Sequence, residues 1–230
     1  ISKGSLKDII GCEELPKNIK SIEFVNKLAH LFDKYETDKR SNQYHYIYGY
    51  IFSVLVPNPR ILEIGLGSND PAIYCNMGIN YSPGRSLKSF KEFSPQSIVD
   101  GADIDKTISV DGHRIFYVDQ TKPETFSNII ENGELEYDLI IDDGMHSPDS
   151  QLYTLEFALK HISNNGYILI EDIHEHNLVI WKIVRHLLSE SQYFCNLIKT
   201  FPASMKGSPA YVFICTKNEN GKQLFQNRFH

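Results

Sequence analysis

From Arg60 onward, short apolar runs alternate with longer amphipathic stretches, and this pattern restricts the chain to a mostly parallel sheet covered by helices on both faces. Apolar runs stand at 61–64, 97–103, 114–118, 137–141 and 166–170. The segments 86–93, 123–131, 147–162 and 176–189 lie between or after them and carry helical spacing. Two further runs, 194–200 and 210–216, flank a connection with Pro202 and Gly207 that reads as an antiparallel return. The expectation is an α/β fold with a seven-stranded, mostly parallel sheet, one strand of it antiparallel.

The segment 5–55 reads as helical. Ile22, Phe24, Val25, Leu28, Leu31 and Phe32 recur at three- and four-residue spacing and form one apolar face. Pro57 and Pro59 stop any helix there. A length of 230 residues suits a single large core. The formal charge of −6, with only a modest basic grouping at Arg85, Lys88 and Lys91, argues against nucleic acid as a partner. No apolar run approaches the ~20 residues that cross a bilayer, so no membrane partner is expected. The first ten residues do not resemble a secretory signal. Cys12, Cys75, Cys195 and Cys215 are far apart and form no CxxC pair, so reduced thiols in a cytoplasmic protein are expected.

Several strands end in carboxylates, at the edge where open α/β sheets bind ligands. A row of acids repels itself unless a cation or polar ligand compensates. After the first strand, Glu63-Ile64-Gly65-Leu66-Gly67 forms a glycine turn that lets the backbone approach a ligand. The third position after Gly67 is Asp70, followed by Pro71, and the loop runs on to Gly84. A pyrophosphate needs a helix N-terminus close by, and this loop does not offer one. S-adenosylmethionine (SAM), a sulfonium without phosphate, suits the turn better. Asp103 ends the second strand, where an acid can accept both ribose hydroxyls, while Asp105 reads equally as a helix N-cap. Asp119 and Gln120 end the third strand, where they can meet an adenine amino group or simply form a turn.

Three groups of residues resemble class I SAM-dependent methyltransferases: Leu62-Glu63-Ile64-Gly65, Gly84-Arg85-Ser86-Leu87-Lys88 and Gly101-Ala102-Asp103-Ile104-Asp105. More specific is Asp138-Leu139-Ile140-Ile141-Asp142-Asp143-Gly144-Met145-His146-Ser147, followed by Ile170-Glu171-Asp172. Together they resemble the metal-dependent sugar O-methyltransferases, of the type that methylates macrolide sugars in mycinamicin biosynthesis, with relatives in capsular polysaccharide pathways. Lys34-Tyr35-Glu36-Thr37-Asp38-Lys39 is similar to a "YGTDK" element of that group, with Glu36 in place of glycine. Ser41-Asn42-Gln43-Tyr44 stands where the group often has His-Asn-Tyr, Met145 where Ser is common, and the 68–83 loop is longer than usual. The resemblance covers roughly residues 34–175. It implies a Rossmann-like domain over 57–230, and 1–56 is expected as an N-terminal helical cap.

A sugar hydroxyl is a poor nucleophile near neutral pH and needs a base, an acidifying metal, or both. Asp143, Glu171 and Asp172 come from the ends of adjacent strands and can converge on one divalent ion; all-oxygen ligation suits Mg²⁺, Mn²⁺ or Ca²⁺ rather than Zn²⁺, and Mg²⁺ or Mn²⁺ is expected. By the resemblance these three are metal ligands and His146 is the general base. Taken singly, each reads equally well as a strand-end acid or a surface histidine. Asp142 is expected on the cofactor, because successive strand residues point opposite ways. Tyr35, Asp38, Lys39, Tyr44 and His174 are candidate substrate contacts, although His174 and His176 also suit a helix start. Tyr35, Tyr44, Tyr46 and Tyr48 read either as an aromatic wall for a sugar ring or as packing. The expected acceptor is a nucleotide-activated sugar, whose diphosphate Arg85, Lys206 or the Gly207-Ser208 backbone can meet, and a homo-oligomer is compatible with the sequence. The competing readings are a methyltransferase for a catechol or amine, and a non-catalytic binding module.

Overall fold

A computed structural model describes residues 9–15, 18–74, 76–130, 136–202 and 208–218. Cys75, Lys206, Gly207 and the last residue of the expected 123–131 helix lie outside the described residues.

Among the described residues eight strands form one sheet: β1 (Ile10–Gly11), β2 (Arg60–Ile64), β3 (Ile98–Asp103), β4 (Ile115–Tyr117), β5 (Tyr137–Asp142), β6 (Ile162–His174), β7 (Phe194–Thr200) and β8 (Ala210–Thr216). Their order is β1-β7-β8-β6-β5-β2-β3-β4, with β8 antiparallel to both neighbours and every other pair parallel. The expected strand count of seven is therefore corrected to eight. The extra strand is the two-residue β1, in a stretch expected to be helical, which pairs with β7 along the sheet edge. The central strand β5 carries the apolar run Leu139-Ile140-Ile141 because both of its faces are covered.

Helices α1 (Ile19–Lys34), α2 (Tyr44–Val54) and α3 (Arg85–Phe93) cover one face; α4 (Ser127–Ile130), α5 (Pro148–His161) and α6 (Leu178–Ser189) cover the other. The first core joins Leu28, Phe32, Tyr48 and Phe90 to Ile61, Leu139 and Leu169; the second joins Ala158 and Trp181 to Leu62, Ile140 and Phe213. Burying each of the large apolar side chains contributes ~1.5–3 kcal/mol.

The helical N-terminal run is broken in two. Asn18 caps α1: its side chain accepts from Ser21 N at 2.7 Å, and Ser21 Oγ accepts from Asn18 N at 2.9 Å. Beyond Lys34 the chain turns through residues in the left-handed region, Glu36 at φ 54° and Gln43 at φ 66°, before α2 begins. Helices α1 and α2 are thus built into the layer beside the sheet, and the turn between them reaches the carboxyl ends of the strands. In β6 the register against β8 shifts between Ile170 and Ile173, at Glu171-Asp172, and Asp172 has φ 51°. Such a bulge re-aims a side chain at a strand end.

Candidate active site

A cavity of about 490 Å³ opens at the carboxyl ends of β2 to β6. Its walls are the turn after β2 (Gly65 to Ser68), the ends of β3 and β4, the turn after β5 (Asp143 to His146), Asp172 of β6 and Thr37 to Lys39 of the α1–α2 turn. Ile73, Tyr74, Met77 and Tyr81 of the long loop add an apolar wall.

The glycine turn is set by sterics. Gly65 has φ 92°, and a Cβ there would lie 2.2 Å from the Asp143 carbonyl oxygen. Gly67 has φ 74°, and a Cβ there would lie 2.5 Å from the Tyr81 ring. Asp103 accepts from Leu66 N at 2.7 Å and from Asp105 N at 2.9 Å, which ties the turn after β2 to the end of β3. Burial pushes the Asp103 carboxyl up, against the pull of those backbone donors. Asp105 accepts from Ser68 Oγ and Thr107 N and lies outside the cavity wall; it closes a turn instead of capping a helix. Asp119 and Gln120 both line the cavity. Asp119 accepts from Lys122 Nζ at 2.6 Å. The Gln120 amide is occupied internally: it donates to Asp142 Oδ2 at 2.9 Å and Thr154 Oγ1 at 2.8 Å, and accepts from Met145 N at 2.8 Å.

At the other end of the cavity, ligand atoms of Asp143, His146 and Asp172 all lie within 4.8 Å of one another. His146 Nε2 stands 4.0 Å from Asp143 Oδ1 and 3.7 Å from Asp172 Oδ2, too far for hydrogen bonds. Its Nδ1 is buried without a hydrogen-bond partner. Both His146 and Asp172 sit at positive φ, 57° and 51°, where side chains other than glycine are strained. Such outliers persist where the surroundings over-determine them, which is common at functional sites.

Behind this trio, Lys39 is 1% exposed and its Nζ meets Glu171 Oε2 at 2.6 Å, Asp143 Oδ2 at 2.8 Å and Glu63 Oε1 at 3.1 Å. The row of strand-end acids thus has a cation of its own. Burial pulls the Lys39 ammonium down, but the charges of Asp143 and Glu171, with help from Tyr48 and Glu63, hold it well above the ordinary lysine range. Glu171 is pushed well above the ordinary carboxylate range by burial, with Lys39 opposing. Tyr48 donates to Glu171 Oε1, Tyr44 to Asp172 Oδ1 and Ser86 to Glu63 Oε2.

Of the residues singled out in the sequence, the cavity wall brings together Asp38, Lys39, Gly65, Gly67, Asp103, Asp119, Gln120, Asp143, His146 and Asp172. Glu63 and Asp142, expected on the cofactor, are fully buried and turned inward, toward Lys39 and Ser86 and toward Gln120. Glu171, expected with Asp143 and Asp172 on one ion, is turned to Lys39 and Tyr48 and stands outside the trio. Tyr44 is buried beside Asp172 and not on the wall. Tyr35 points away, with its hydroxyl on Glu92, and the His174 ring stacks 5.5 Å from His176. The sequence reading missed Tyr48 and Gln151 as supports for Glu171, whose carbonyl accepts from Gln151 Nε2 at 2.9 Å. Tyr48 was findable, because it lies one helical turn after Tyr44 and shares its face.

No family model matches the chain. L-olivosyl-oleandolide 3-O-methyltransferase of Streptomyces antibioticus is 31% identical over 115 residues, covering 49% of this chain and 28% of the relative. The 8-demethyl-8-(2-methoxy-alpha-L-rhamnosyl)-tetracenomycin-C 3'-O-methyltransferase of Streptomyces olivaceus is 27% identical over 129 residues, covering 55% and 31%. The chain spans under a third of the length of these two relatives. Among solved structures, the MycE methyltransferase from the mycinamycin biosynthetic pathway, in complex with Mg and SAH, superposes with a TM-score of 0.52 at 26% identity, over 64% of this chain and 39% of that one. The chain is similar to SAM-dependent sugar O-methyltransferases, and its sheet and helix layers are those of the class I methyltransferase fold.

Proposed function

We propose that this chain is a SAM-dependent O-methyltransferase acting on a sugar hydroxyl, with the acceptor carried on a nucleotide-activated sugar of polysaccharide or natural-product synthesis. One observation carries the reading: the Asp143–His146–Asp172 trio opens into the same cavity as the glycine turn of β2. That puts a proton acceptor and anionic ligands within reach of a cofactor seated on Gly65, Gly67 and Asp103. The relatives named for sugar O-methylation support the acceptor class.

The donor set fits a hard divalent ion. Asp143 and Asp172 each turn one oxygen toward the His146 ring without bonding to it, and the ring's Nδ1 is orphaned. In this reading Asp143 and Asp172 would hold Mg²⁺ or Mn²⁺, with Glu171 supporting them from behind through Lys39. A bound ion would acidify a hydroxyl of the acceptor. His146 Nε2 takes the hydroxyl proton as a neutral imidazole. The oxygen then attacks the methyl carbon; the new O–C bond forms as the S–C bond breaks, and the proton stays on His146. Lys39 does not act as the base, because its ammonium is committed to three carboxylates. Asp119 and Gln120 border the adenosine end. Segment 1–56 contributes to the 57–230 domain by supplying Thr37 to Lys39 to the wall.

A mass-spectrometric screen of nucleotide sugars with SAM tests the reading. It predicts one sugar that gains a single methyl group, with turnover abolished by EDTA and restored by Mg²⁺ or Mn²⁺. Full turnover in a metal-stripped sample rejects the metal assignment. Methylation of catechols or amines alone rejects the acceptor class.

A further inference from the structure

Each carboxylate of the trio divides its two oxygens between different partners. Asp143 gives Oδ2 to Lys39 Nζ at 2.8 Å and turns Oδ1 to His146 at 4.0 Å. Asp172 gives Oδ1 to the Tyr44 hydroxyl and turns Oδ2 to His146 at 3.7 Å. The same Tyr44 hydroxyl accepts from Asp172 N at 3.3 Å, so one phenol holds both the backbone and the side chain of a residue at φ 51°. Lys39 and Tyr44 are each 1% exposed, and both come from the short stretch that leaves α1 and starts α2. Lys39 is itself anchored by Glu171 and Glu63.

A carboxylate without such a donor turns about its last torsion and offers either oxygen, or both, to a cation. Donors fixed on one oxygen remove that freedom. We propose that Lys39 and Tyr44 are positioning residues of the ion centre, each holding one ligand oxygen so that the other faces the shared space. This rests on the divalent-ion reading of the trio. It removes both side chains from the substrate-contact role expected from the sequence. It also gives the α1–α2 turn a function: it is the outer layer of a site whose ligands come from β5 and β6.

The test uses the whole chain with Mn²⁺ alone, followed by electron paramagnetic resonance, and S-adenosylhomocysteine (SAH) binding by calorimetry. Tyr44→Phe keeps the buried ring and removes only the hydroxyl. It is expected to weaken Mn²⁺ binding by ~10-fold or more and to change the line shape of the bound ion, with SAH affinity unchanged within about twofold. Lys39→Gln also deletes a positive charge that repels the ion, so it is read by line shape, which is expected to change as well. Wild-type Mn²⁺ affinity and line shape in both variants overturns the assignment alone. A raised KM for the acceptor with unaltered Mn²⁺ binding also overturns it and returns both residues to substrate contact. A wild-type chain that binds no Mn²⁺ overturns the divalent-ion reading, and this assignment with it.

Discussion

Among the described residues His146 Nδ1 has no hydrogen-bond partner, and Nε2 faces the carboxylates of Asp143 and Asp172 at 4.0 Å and 3.7 Å. In the proposed mechanism it accepts the hydroxyl proton, a task separate from cofactor binding. His146→Ala is expected to lower kcat by ~10²–10⁴-fold while SAH affinity changes less than twofold, read by steady-state kinetics and calorimetry. Near-normal turnover removes His146 from the mechanism. Gly65 is constrained by its backbone. Gly65→Ala puts a methyl on the Asp143 carbonyl at a φ that disfavours it, and is expected to cost ~2 kcal/mol or more and to weaken SAH binding, checked by urea unfolding and calorimetry. At this scale the acid pairs were only half legible. The strand period says that Asp142 and Asp143, or Glu171 and Asp172, face opposite ways. It does not say which member faces the cavity. In both pairs the second residue does, because the chain has left regular strand geometry there, and the first is buried among donors that come from distant segments: Gln120 for Asp142, Lys39 and Tyr48 for Glu171.

The α1–α2 turn shows why an element can be readable in kind and not in extent. The apolar face of α1 predicted a helix, but the break after Lys34 is made by backbone at positive φ, on residues that do not announce it. The position where a glycine is common in the resembling group holds Glu36 at φ 54°, a region where glycine carries no steric penalty. Glu36 offsets part of that strain through Arg85, whose NH1 donates to the Glu36 carbonyl at 2.9 Å, a bond to backbone that a glycine retains. The side-chain ion pair to Arg85 is mostly exposed on the Glu36 side and stabilises little. Glu36→Gly is therefore expected to raise the unfolding free energy by ~0.5–1 kcal/mol, measured by urea unfolding; a loss of stability contradicts that assignment of strain. Strand β6 taught a similar lesson. Its apolar centre was evident in sequence, but the bulge that aims Asp172 depends on pairing with β8, a partner some forty residues away.

Across the whole molecule, the strand–helix alternation made the architecture legible, since parallel strands buried on both faces leave a continuous apolar signature. The edge strand β1 was not legible, because two residues carry no period. Long-range burial also creates titration behaviour that local sequence does not reveal. His45 is 2% exposed and accepts from Arg40 NH1 at 2.7 Å through Nε2; burial, then the Arg40 charge, lowers its pKa to about 4. The unfolded chain binds this proton at ~6.5, so the His45 contribution to stability is complete above that pH and is lost as pH falls toward 4. A smaller drop in Tm between pH 7 and pH 5 for His45→Gln than for wild type is expected, and equal drops contradict it.

The most direct measurement is a crystal structure of the chain grown with SAH and Mn²⁺, with anomalous data collected at the manganese edge. The account predicts a manganese peak beside Asp143 and Asp172, with His146 facing the same space and the SAH sulfur in the cavity toward Gly65. A manganese peak elsewhere, or SAH bound away from the glycine turn, contradicts it.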